Sequence, residues 1–214
     1  MRPKQFDFDP ANANLTGFAS NVTGAAFVIT TTATTDGLAH QVSIRNDSAT
    51  DHSGKTVTLV GTDADGRAQT EVVTAPGTSA TVESTKYFKT LTSATPSATI
   101  GADTFDIGWV DEFVSQTIPI DWRAPTPATI QVVVTGTINF DIEGTLQDFN
   151  GSTAAPFTFS DQSDLEWFND ANFTAKTASL TDDLALPGYR AIRFVVNSYT
   201  DTAELQAFLI QPDN

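Results

Sequence analysis

No stretch of twelve or more residues in this 214-residue chain carries the i, i+3, i+4, i+7 apolar stripe of a surface helix. Short runs rich in Thr, Val, Ile and Phe alternate with polar residues at period two instead, and clusters of Gly, Asp, Asn and Pro separate them. A segment that alternates at period two buries one face and wets the other, and its backbone is satisfied by pairing into a sheet. The pattern therefore predicts an all-β protein.

Strands are expected over 25–32, 38–45, 55–62, 67–74, 81–91 and 104–110, with turns at Asp36-Gly37, Asp65-Gly66 and Pro76-Gly77. The runs flanking Asp65-Gly66 form the strongest local signal, a β-hairpin closed by a D-G turn. Farther on, strands are expected over 129–135, 137–146, 173–180, 189–199 and 202–210, the last two pairing with each other around Thr200-Asp201. In 137–146 the alternation of Ile138, Phe140 and Ile142 with Asn139, Asp141 and Glu143 is regular.

Between these groups, Pro119, Pro125 and Pro127 surround Trp122 within 114–127, and three prolines so close together suit a connector better than a central strand. The organisation read from sequence is two tandem antiparallel β-sandwich domains, jelly-roll or Ig-like, joined by that Pro-rich connector. An N-terminal arm covers 1–22, the first sandwich 23–113, the connector 114–127 and the second sandwich 128–214. A single large jelly roll is the alternative.

The chain holds 26 acidic and 11 basic side chains, a formal net charge of −15, and neither half is basic. Such a field repels nucleic-acid phosphates and anionic lipid headgroups, so neither nucleic acid nor membrane is an expected partner. The absence of cysteine removes disulfides and Cys-based metal or redox chemistry. Residues 1–10 lack the apolar core of a signal peptide, and no run approaches the roughly 20 apolar residues of a spanning helix. A soluble protein made in a cytoplasm is the expectation.

Candidate sites are few. Asp63-Ala64-Asp65-Gly66 resembles the middle of a calcium loop, but aligning Gly66 with the invariant glycine puts Gly61 and Val72 where carboxylates are needed, so a turn is the better reading. Asp161, Asp164, Glu166 and Asp170 form the densest acidic cluster and are the weak calcium candidates; paired-carboxylate glycosidase chemistry is the same cluster's other reading. His40 and His52 are the only imidazoles, one in a predicted strand and one in a loop, and neither has the companions of a triad or a zinc site. No catalytic residue, cofactor site or cofactor is assigned, and the chain is read as not an enzyme. Among the aromatics, Trp122, Trp167 and Phe168 are the candidate contact residues, for a subunit interface or for stacking on a sugar, beside Trp109, Phe149, Phe157 and Phe159.

Two patches resemble segments of virion structural proteins of tailed bacteriophages. One is Gly61-Thr62-Asp63-Ala64-Asp65-Gly66-Arg67 with Thr70-Glu71-Val72-Val73 and Ser84-Thr85-Lys86-Tyr87-Phe88-Lys89-Thr90; the other is Pro187-Gly188-Tyr189-Arg190-Ala191-Ile192-Arg193-Phe194-Val195-Val196 with the closing strand that ends at Gln211. The resemblance covers about half the chain and is one of hairpin phrasing. It implies a small β-rich module that assembles as a symmetric oligomer, with a trimer as the expected state, made in the host cytoplasm and residing in the virion. A head decoration or cement protein bound to the major capsid protein or other virion proteins is the leading expectation. A neck or tail adaptor, or fibre-attachment protein, is the second, and a carbohydrate-binding module using the Trp167 region is the third.

Overall fold

The computed structural model describes residues 3–121, 123–124, 126–147 and 161–211. In chain order the strands are β1 (Lys4–Phe8), β2 (Asn14–Val22), β3 (Ala39–Asn46), β4 (Thr56–Thr62), β5 (Ala68–Thr74), β6 (Thr81–Phe88), β7 (Thr90–Pro96) and β8 (Phe105–Val114). They continue as β9 (Ile118–Pro119), β10 (Thr129–Thr135), β11 (Ile138–Thr145), β12 (Phe168–Asn169), β13 (Leu180–Asp183), β14 (Ala191–Tyr199) and β15 (Glu204–Ile210). One 3-10 turn, Gln162–Asp164, is the only helical element among the described residues, and every strand pairing given below is antiparallel. No helix among the described residues is long and apolar enough to cross a membrane.

The chain divides into two compact units, one made of residues 11–111 and the other of residues 1–10 together with 112–214. The expected tandem division at a Pro-rich connector is not the one observed. Of residues 1–22, expected as an arm, Lys4–Phe8 pair along their whole length with β15 and Asn14–Val22 pair with β8. Within 114–127, Ile118–Pro119 pair with Ile192 and Ala191 while Ile118 and Ile120 are buried, so the apolar residues on either side of Pro119 are used as core.

In the 11–111 unit, a three-stranded sheet ordered β5-β4-β7 faces a second sheet in which β2, β8, β3 and β6 are neighbours. The β4-β5 hairpin pairs from Thr56 with Thr74 to Thr62 with Ala68, around the D-G turn read from sequence. Val57, Leu59, Val73, Leu91 and Ala94 from the first sheet share one core with Phe18, Val42, Ile44, Phe88, Phe105 and Ile107 from the second. Each large side chain buried there contributes about 1.5–3 kcal/mol. The run 25–32 is not a strand: Phe27 and Ala33 form isolated bridges with Ala94 and Thr90, Thr30 and Thr31 N–H donate to the Phe18 carbonyl, and the Thr32 carbonyl accepts Leu91 N–H. At Gly61, β4 passes so close to β7 that an added Cβ would lie 1.9 Å from the Thr90 carbonyl oxygen.

In the other unit, the sheet β1-β15-β10-β13 faces a sheet built on β12-β11-β14, with β9 and residues 113–114 on the far edge of β14. Phe8 of the first sheet meets Phe113 and Phe194 of the second at ring centroid distances of 5.9 and 5.4 Å. Two consecutive strand pairs change sheet here. β10 pairs with β13 and β15 while β11 pairs with β14, and β14 and β15, expected as a hairpin, lie in different sheets. β10, β11 and β15 bury alternate residues while β14 is buried on both faces over most of its length, and placing the strands in opposite layers lets the inner faces share one core. The two corners run side by side: Thr200 donates to the Thr137 carbonyl at 3.0 Å, and Gly136, at φ +73°, sits where a Cβ would lie 3.0 Å from Ala203 Cα.

Candidate functional site

The two histidines hold loops. His40 is fully buried on β3; its Nε2 lies 2.8 Å from the Asp36 carboxylate and its Nδ1 3.1 Å from the Val110 carbonyl. Asp36 also accepts the backbone N–H groups of Ala11 at 2.6 Å and Leu38 at 2.9 Å. Burial alone would raise the Asp36 carboxyl, but the hydrogen bond and charge of His40 and these two N–H groups outweigh it and hold the group well below the usual carboxylate range. His52 is buried against the edge of Phe105, with Nε2 2.9 Å from Asp103 and Nδ1 3.0 Å from Lys55 Nζ, which also donates to the Thr99 carbonyl at 2.7 Å. An ammonium can only donate, so Nδ1 accepts and Nε2 carries the hydrogen toward Asp103. This array ties the loop at 50–55 to the loop at 99–103. Asp103 is held below the ordinary range, first by the Thr50 side chain and then by His52.

Asp63 serves the hairpin turn. It is buried, and its Oδ1 accepts the N–H groups of Asp65 and Arg67 at 2.9 and 2.8 Å. Gly66 takes φ +81° to close the turn. On the neighbouring sheet, Arg45 reaches Asp47 and the buried Asp106.

Among the weak calcium candidates, Asp161 and Asp170 are buried and bound to backbone. Asp161 caps the 3-10 turn, accepting Ser163 N–H at 2.9 Å and the Ser163 hydroxyl, while Asp164 reaches back to Asp161 N–H. Asp170 accepts Asn172 N–H at 2.9 Å and Ala185 N–H at 2.7 Å. It also bonds Tyr189, whose hydroxyl is pushed up to about 12 by burial and then by the Asp170 charge and hydrogen bond. Glu166 is exposed, and its N–H donates to Gln147 Oε1 at 2.7 Å. Among the described residues, no group of three or more His, Asp or Glu converges as metal ligands would.

Of the candidate contact aromatics, Trp122 lies outside the described residues, as do Phe149, Phe157 and Phe159. Trp167 is half-buried; its indole N–H donates to the Gln162 carbonyl at 3.0 Å, and the Arg193 guanidinium lies 4.4 Å from the ring centroid. Arg193 is itself fixed by Glu143 at 2.7 Å and Gln162 Oε1 at 3.0 Å. One face of the indole is therefore covered by a cation held in place from beneath. Phe168, in the two-residue strand β12, is 56% exposed.

Several large apolar side chains are also left open. Val28 is 72% exposed and Val72 61% exposed in the 11–111 unit, while Leu146, Leu186 and Ile210 are exposed in the other. Val28 stands beside an open depression of about 260 Å³, lined also by Ser20, Asn21, Thr23 and Thr30, with no titratable side chain. Sequence reasoning did not single out Val28 or Val72 as contacts. The signal for Val72 was present: in Val72-Val73 one residue of the doublet must break the alternation, and Val73 is the inward one.

No known family model matches the chain, and no curated protein does. Among solved structures, the chain is similar to the crystal structure of the major capsid protein P2 from bacteriophage PM2, at 10% identity, with 99% of each chain covered and a TM-score of 0.19. At that score the likeness does not amount to a shared fold.

Proposed function

We propose that the chain is a non-enzymatic structural protein of a phage virion, a capsid decoration or cement protein that stabilises the particle by burying interface as a trimer. The hairpin phrasing of residues 61–73, 84–90 and 187–196 supports the phage assignment. The observation that carries the mechanism is the division of labour among side chains: His40, His52, Asp36, Asp63, Asp161 and Asp170 are bound into loops and turns, while Val28, Val72, Phe168, Leu186 and Ile210 are left open. Open apolar side chains suit contact with a partner surface, which stabilises by about 25 cal/mol for each Å² of apolar area removed from water. A single contact of this kind is weak, and repetition over many copies on a shell makes it durable.

Electron microscopy of particles carrying a labelled chain tests the proposal. Label at every capsomer supports decoration. Label at one vertex replaces it with the neck or tail adaptor reading, and particles that carry no label at all reject the virion reading.

A further inference from the structure

We propose that residues 11–111 are an inserted domain that unfolds as its own cooperative unit, and that Lys4–Phe8 unfold with residues 112–211, from which the 101-residue insertion separates them in sequence. This goes beyond the particle reading and does not depend on it.

Three observations point to it. First, β1 completes a sheet whose other strands all come from the C-terminal part of the chain: five residue pairs join it to β15, and Phe8 packs on Phe113 and Phe194. Second, residues 11–111 hold a core of their own, with Phe18, Val42, Ile44, Leu59, Phe88, Leu91, Phe105 and Ile107 fully buried within one cluster. Third, the segments by which the chain enters and leaves the insertion are bound to each other within it. Asn14 pairs with Trp109, the Trp109 indole donates to the Asn12 carbonyl at 3.0 Å, and Ala13 N–H donates to Asp111. A domain entered and left at adjacent points is one whose insertion leaves the host unit's strand pairing intact.

Hydrogen exchange of the full, unaltered chain in increasing sub-denaturing urea tests this. Amides of β2 to β7 should converge on one opening free energy, and amides of β10, β11, β14 and β15 on a different one. The five amides of Lys4–Phe8 should follow the second group. Thermal unfolding gives an independent readout. Leu59→Ala should lower one transition by about 8 °C or more while leaving the other in place, and Ile142→Ala should do the reverse. If Leu59→Ala does not fold, Val57→Ala is the milder variant and should act on the same transition alone. One shared exchange isotherm for all strands, residues 4–8 exchanging with 14–22, or a Leu59→Ala variant that shifts both transitions equally would each overturn the proposal.

Discussion

The substitution Asp36→Asn keeps shape and removes charge at a buried carboxylate of the 11–111 unit. Three donors converge on it: His40 Nε2 at 2.8 Å, Ala11 N–H at 2.6 Å and Leu38 N–H at 2.9 Å. An amide offers one acceptor oxygen, so in either orientation its NH₂ faces a donor, and the fully buried His40 loses an anionic partner. Leaving a buried donor without its acceptor costs about 1–3 kcal/mol, a large share of the roughly 5–15 kcal/mol that holds a domain folded. The cost has a pH signature. The folded Asp36 carboxyl sits well below its unfolded value near 4, so its contribution is complete above that value and is lost as pH falls. By pH 3 roughly 1 kcal/mol of it is gone from the unaltered chain, and the Asp36→Asn variant, with no proton to take up there, has nothing to lose. Urea unfolding followed by fluorescence at pH 7, 5 and 3 should show the difference between the two proteins steady from 7 to 5 and smaller at 3. A cost below about 1 kcal/mol at pH 7, or a difference that does not shrink at pH 3, would rule out this role for Asp36.

Other substitutions separate packing from contact. Gly61→Ala forces a methyl against the Thr90 backbone rather than against a movable side chain, and should cost about 3 kcal/mol or more by thermal unfolding. Val72→Asp combined with Phe168→Asp alters two exposed side chains, so the melting temperature should change by no more than about 2 °C while the assembled mass falls. Trp167→Ala should destabilise the unit that contains it, because the ring lies against Arg193 and bonds Gln162. Retention on glycan affinity gels that is lost in this variant would favour the carbohydrate-binding reading over assembly.

The all-β class and the β4-β5 hairpin were legible because both are written locally, in period-two alternation and in the D-G turn. Pairing across the sequence was not. Lys4–Phe8 alternates its apolar residues well, but nothing local says that its partner is β15, at the other end of the described chain. The corners at Gly136 and Thr200–Ala203 read as ordinary hairpin turns, and only the need to fill two facing layers sends the strands on either side into different sheets. The carboxylates of 161–170 looked like a cluster because they are close in sequence. In space Asp161 and Asp170 turn inward to separate backbone partners, while Glu166 points to solvent. The prolines of 114–127 suggested a connector, but Pro119 lies in a two-residue strand on the edge of β14, a position proline tolerates.

The claim that this chain acts by assembling is tested most directly by its mass in solution, measured by light scattering on the size-exclusion peak across a wide concentration range. The account predicts a stable species at three times the 22.8 kDa of one chain, falling toward one chain in the Val72→Asp, Phe168→Asp double variant. A single species of 22.8 kDa at every concentration would contradict it.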